Sequence, residues 1–113
     1  MGAAHKIRIL EIDAPEINDA SVECYGPEAS AFAKQEIPVG STVFLLPDKD
    51  DRDRYGRFLR YVWEQNGEFY NEKAVRLGYA TAVLFMPNDL YVNQIREAEA
   101  EARANKRGLW GVC

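Results

Sequence analysis

Ile7-Arg8-Ile9-Leu10-Glu11-Ile12-Asp13-Ala14-Pro15-Glu16 is an apolar run that ends abruptly in two carboxylates and a proline. The bulky and β-branched residues at 7, 9, 10 and 12 favour an extended strand. Pro15 has no N–H to give to a ladder, and it holds the residue before it extended. The pattern predicts a strand over residues 7–13, with Asp13 and Glu16 carried on the loop that the strand braces. Taken alone, such a stretch is also an ordinary polar turn, because Asp and Pro form turns.

A second stretch changes that balance. Asp53-Arg54-Tyr55-Gly56-Arg57-Phe58-Leu59-Arg60-Tyr61-Val62-Trp63 places an arginine just after a Tyr-Gly turn, at the start of another apolar strand. With period two, Arg57 shares a face with Leu59, Tyr61 and Trp63, and Arg8 shares one with Leu10 and Ile12. A guanidinium on an apolar face is costly unless something anionic meets it. Two such arginines beside two loop carboxylates suit a phosphodiester.

These residues resemble the staphylococcal nuclease (thermonuclease) family. The likeness rests on the arginine-bearing strand running into Asp13-Ala14-Pro15-Glu16, on Tyr25-Gly26-Pro27-Glu28-Ala29 at a helix start, and on Tyr55-Gly56-Arg57. Asn71 to Ala80 resembles the family's second helix and the turn after it. The closing Ala-Glu-Ala-rich helix before Gly108-Leu109-Trp110 completes the order. The family's upstream β-hairpin, whose Asp-Gly-Asp-Thr signature supplies a further calcium-binding aspartate, has no counterpart before Arg8.

The resemblance implies an α+β fold, an oligonucleotide-binding (OB) β-barrel with three α-helices. It implies a calcium-dependent nuclease acting on DNA or RNA. Asp13 and the Ala14 backbone carbonyl would hold Ca2+, with Ala14 standing where the family often has threonine. Glu16 would be the general base, Arg8 and Arg57 the phosphate clamps, and Tyr55 a nucleotide contact. Phe85 and Met86 lie near the place where the family sets an aromatic residue against a base.

Convincing strands are expected only over residues 7–13, 41–46 and 57–63, and three strands cannot close a small barrel. The Ile7 to Ile12 strand would be left with an open edge and an uncovered apolar face that invite pairing with another chain, so self-association or strand exchange is expected.

A length of 113 residues fits one domain, residues 1–113, with 1–6 as a terminal segment. No run reaches the roughly 18 apolar residues of a membrane span, and no signal peptide is legible. A net charge of −4 argues against affinity won by blanketing phosphates, so nucleic-acid contact should be local and salt-sensitive. His5 reads as an exposed terminal residue.

Other segments read structurally. Gly26-Pro27 opens a helix, with Glu28 in its first turn facing the positive end of the dipole. Asp48-Lys49-Asp50-Asp51-Arg52-Asp53-Arg54 lacks the glycine and glutamate register of an EF-hand and reads as a solvated turn. Asn71 suits a helix N-cap, and Pro87-Asn88-Asp89 the start of a last helix running to about Lys106. Cys24 and Cys113 could be bridged in a secreted or periplasmic setting, closing a loop worth roughly 4 kcal/mol. In a reducing cytosol they would be free thiols. Three functions stay open: a nuclease, a catalytically impaired nucleic-acid or protein interaction module of the same fold, and a fragment without activity.

Overall fold

A computed structural model of the chain describes residues 4–18 and 20–113. In chain order its elements are β1 (Ile7–Ile9), β2 (Ile12–Asp13), α1 (Gly26–Glu36), β3 (Val43–Leu46) and β4 (Phe58–Glu64). There follow α2 (Tyr70–Arg76), β5 (Thr81–Ala82), α3 (Val92–Ala104) and a closing turn of helix, α4 (Leu109–Val112). β4 is the middle of a three-stranded sheet ordered β1-β4-β3, parallel to β1 and antiparallel to β3. β2 and β5 form a separate antiparallel pair. The fold is α+β, and the described residues form no closed barrel. Phe44, Leu45 and Leu46 of the edge strand β3 are exposed.

The first strand is not continuous. Glu11 takes a left-handed conformation, φ 63°, and breaks the run between β1 and β2. Leu10, Glu11 and Ile12 are consequently buried one after another, which a period-two strand cannot do. The expected face shared by Arg8, Leu10 and Ile12 therefore ends at the break.

Asn71 mends the break. It lies inside α2, fully buried, and not at an N-cap. Its Nδ2 donates to the Leu10 carbonyl at 2.7 Å, and its Oδ1 accepts from the Val62 N–H at 2.9 Å. One side chain thus supplies both partners that the kinked backbone and β4 lack.

The acidic run is also tied inward and is not simply a solvated turn. Asp48 Oδ2 accepts from the buried Tyr61 hydroxyl at 2.6 Å and from the Leu90 N–H at 2.9 Å. Asp51 pairs with Arg60 at 2.6 Å, and Lys49 with Asp89. The segment 87–91 is held by these contacts, so the last helix begins at Val92 and not at Pro87.

Helix α1 begins where Pro27 sits in its first turn, and Ala29 and Phe32 are its buried residues apart from Gly26. Phe32 stacks on Tyr79 at 4.1 Å between centroids. Ile95, Ala98 and Ala102 form the buried stripe of α3, whereas Leu90 is exposed. Gly78 and Gly108 meet back to back, both at positive φ, and a Cβ on Gly78 would collide with the Arg107 carbonyl. Trp110 packs beneath Arg103, whose guanidinium carbon is 4.4 Å from the ring centroid. Cys24 and Cys113 are joined by a disulfide.

Candidate active site

The register of β1 on β4 decides where the arginines go. Arg8 is opposite Leu59, and Arg57 lies two residues before Leu59, so both project from one face of the sheet. They line a single cleft of about 290 Å3 together with Tyr55, Phe85 and Met86. Asp53 shapes the turn that delivers Arg57: its Oδ1 accepts from the Tyr55 and Arg57 N–H groups, both at 2.9 Å, and its Oδ2 from Arg57 Nε at 2.6 Å. Burial acts to raise the Asp53 pKa, but hydrogen bonds from Arg57 and Tyr55 outweigh it and hold the carboxyl below the usual range.

Arg8 is half-buried and differently placed. Its Nη1 donates to the Ile9 carbonyl at 2.5 Å, and its guanidinium carbon lies 4.8 Å from the Phe85 ring centroid. Among the described residues it forms no ion pair with a carboxylate. Burial lowers its pKa; Asp13 pulls the other way, Arg57 lowers it further, and Asp53 and Glu16 raise it. A partly desolvated cation beside a second cation is a place for an anion with several oxygens.

The carboxylates lie to the side. Asp13 ends β2 and is exposed, its carbonyl accepting from Thr81 Oγ1 at 3.2 Å. Asp13 and Ala14 line a separate cleft of about 220 Å3 with Glu23, Cys24 and Cys113. Glu16 is exposed and lines neither cleft. The structure thus gathers Arg8, Arg57 and Tyr55 in one place and sets Asp13, Ala14 and Glu16 beside it.

For calcium, the loop donors fit in kind, being hard oxygens, and are few: one carboxylate and one backbone carbonyl for an ion that takes six to eight oxygens. Among the described residues the one acidic trio close enough to share an ion is Glu36, Glu64 and Glu68. It sits at the far end of β4, on the order of 20 Å from Arg57 at a strand rise of about 3.3 Å per residue. Lys73 already occupies it, with Nζ 2.7 Å from Glu36 and 3.7 Å from Glu64.

Phe85 and Met86, which the resemblance places near a base-contacting position, do line this cleft. Met86 is exposed and Phe85 half-buried. In the Pro87-Asn88 turn that follows, Asn88 is buried, its Oδ1 accepts from the Asp50 N–H at 2.9 Å and its N–H donates to the Phe85 carbonyl at 2.8 Å. Arg52 and Arg54 also line the cleft, and Arg54 donates to the Tyr55 hydroxyl at 2.8 Å. Four arginines in one cleft make a local basic patch on an acidic chain.

The kinked strand that carries Arg8 into Asp13-Ala14-Pro15-Glu16 thus lies parallel to β4, which follows directly on the Tyr55-Gly56-Arg57 turn. The chain belongs to the staphylococcal nuclease family: the model of "Staphylococcal nuclease homologue" matches residues 6–112. It is 37% identical over 111 residues to a thermonuclease of Staphylococcus hyicus, covering 96% of this chain and 64% of that protein. To the endonuclease YncB of Bacillus subtilis it is 33% identical over 112 residues, covering 96% of this chain and 53% of the relative. The chain therefore spans between about half and two thirds of these relatives.

Proposed function

We propose that this chain is a single-domain, calcium-dependent nuclease that hydrolyses phosphodiester bonds in DNA or RNA. The supporting observation is the convergence of Arg8 and Arg57 on one cleft, with Tyr55 at its rim and Arg8 left without a carboxylate partner among the described residues. The names of the relatives as thermonuclease and endonuclease support the same reaction.

In this reading the phosphate enters between the two guanidiniums. Their planar donors meet the equatorial oxygens, where negative charge builds as a water oxygen bonds to phosphorus and the leaving oxygen departs. Glu16 takes the proton of that water. Tyr55 and Phe85 offer flat faces to the sugar or base. Asp13 and the Ala14 carbonyl would hold calcium, which when bound supplies Lewis-acid stabilisation of the phosphoryl oxygens. No helix of the described residues is long and apolar enough to cross a membrane, and the disulfide supports a secreted or periplasmic address. The open apolar edge of β3 supports self-association or strand exchange.

Arg8→Lys and Arg57→Lys test the clamp, because lysine keeps the charge and loses the fork. Each should lower kcat/KM on single-stranded DNA by on the order of 10²-fold, with the circular dichroism spectrum unchanged. Full activity in both variants would refute the clamp. The interaction-module reading keeps one specific support, the small donor set at Asp13, and it takes over if the folded chain binds single strands without cutting them.

A further inference from the structure

The loop that carries Glu16 is exposed from Glu16 to Cys24 wherever it is described, so burial does not hold it. Hydrogen bonds do. The Glu16 N–H donates to Glu23 Oε1 at 2.8 Å, and the Glu23 N–H donates to the Glu16 carbonyl at 3.0 Å. Both main-chain groups of Glu16 are therefore held by one residue, seven positions along. Between them Ile17 bridges Val22, and Asn18 Oδ1 accepts from the Ala20 and Ser21 N–H groups, both at 2.9 Å.

Glu23 is itself anchored on its other side. Its carbonyl accepts from the Gly26 N–H at 2.8 Å at the start of α1, and Cys24, the next residue, is covalently bound to Cys113. Cys113 ends α4, whose first N–H, that of Leu109, donates to the Gly78 carbonyl at 2.9 Å. The loop is thus tied through Glu23 to both the first helix and the end of the chain.

We propose that Glu23 is the positioning residue for Glu16, and that the Cys24–Cys113 disulfide holds Glu23 in place for that task. Glu23 lines the same cleft as Asp13 and Ala14, and its Oε1 is engaged by the Glu16 N–H. Its carboxylate sets the backbone of the base, and through it the direction in which the Glu16 side chain leaves the loop. A displacement of about 1 Å at a reacting group can cost on the order of 10² in rate. The inference rests on the reading of Glu16 as the base.

The test uses the full oxidised chain and compares wild type, Glu23→Ala, Glu23→Gln, Cys24→Ser with Cys113→Ser, and Glu16→Gln. Single-stranded DNA cleavage gives kcat and KM, and amide hydrogen exchange at Glu16, measured without calcium or DNA, reads the loop directly. Glu23→Ala should lower kcat about tenfold or more with KM within about twofold, and should speed Glu16 exchange by about tenfold. Glu23→Gln keeps the accepting Oε1 and should restore both, which a loss of charge alone would not predict.

Unchanged Glu16 exchange in Glu23→Ala would overturn the proposal, as would Glu23→Gln failing as badly as Glu23→Ala. A folded double-serine variant with wild-type kcat would overturn the part played by the disulfide. Should that variant not fold, the alanine and glutamine pair at an intact disulfide decides. If Glu16→Gln cleaves normally, or the wild-type chain cleaves nothing, the nuclease reading of Glu16 fails separately, and Glu16 exchange still decides whether Glu23 holds the loop.

Discussion

Asn71→Ala should destabilise the domain far more than its small size suggests. The side chain has no exposed surface, and it satisfies the Leu10 carbonyl at 2.7 Å and the Val62 N–H at 2.9 Å. Truncation leaves two backbone groups unpaired in the core, each costing about 1 to 3 kcal/mol, for a central expectation of about 4 kcal/mol. That is a large share of the roughly 5 to 15 kcal/mol that holds a domain of this size folded. Urea unfolding followed by tryptophan fluorescence should show a lower midpoint with an unchanged slope, and the melting temperature should fall by about 15 °C or more. Asn71→Asp keeps the acceptor and loses the donor, so it should be damaging too, and more so at neutral than at acid pH because a buried charge is added. A loss below about 1 kcal/mol for Asn71→Ala would refute the claim that this side chain mends the break at Glu11.

Other outcomes follow from the same geometry. Glu11 is fully buried, and burial, against a weak hydrogen bond from the Phe85 N–H and with Asp48 and Asp89 nearby, pushes its pKa up to about 7. A carboxyl raised from 4.5 in the unfolded chain contributes stability present below that value and lost as pH rises through 7. Glu11→Leu should therefore gain about 3 kcal/mol at pH 8 relative to pH 4, read by urea unfolding at both; an equal effect at both pH values would contradict the burial account. Cys24→Ser with Cys113→Ser should cost roughly 4 kcal/mol of stability, because the bridge closes a separation of 89 residues; a loss near zero would show that the unfolded chain is not constrained by it. Gly78→Ala should give little folded protein on expression, since its Cβ would strike the Arg107 carbonyl at a positive φ.

Much of the site follows from local chemistry that a single sequence displays. Pro15 ends a strand, Gly56 at φ 81° permits the Tyr-Gly turn, and Pro27 opens α1, so the loop, the turn and the helix fall where those residues require. Glu11 does not follow. A carboxylate flanked by apolar neighbours reads as the solvent-facing member of a strand, whereas its partners in the fold are distant in sequence: the Val83 and Phe85 N–H groups donate to Glu11, and Asn71 to the Leu10 carbonyl beside it. The parallel pairing of β1 with β4 is illegible for a similar reason: nothing in either strand names its partner. The turn after Phe85 and Met86 is fixed by Asn88, whose Oδ1 accepts from the Asp50 N–H across the fold, and that partner is not legible locally. Asp48 and Asp51 look like solvated charge until Tyr61 and Arg60 come within reach.

Single-stranded DNA cleavage by the wild-type chain and by Glu16→Gln, each with calcium and with chelator, tests the account most directly. The account predicts calcium-dependent cleavage in the wild type, a loss of about 10²-fold or more in the variant, and none in either with chelator. Equal cleavage by the two proteins, or cleavage that survives chelation, would contradict it.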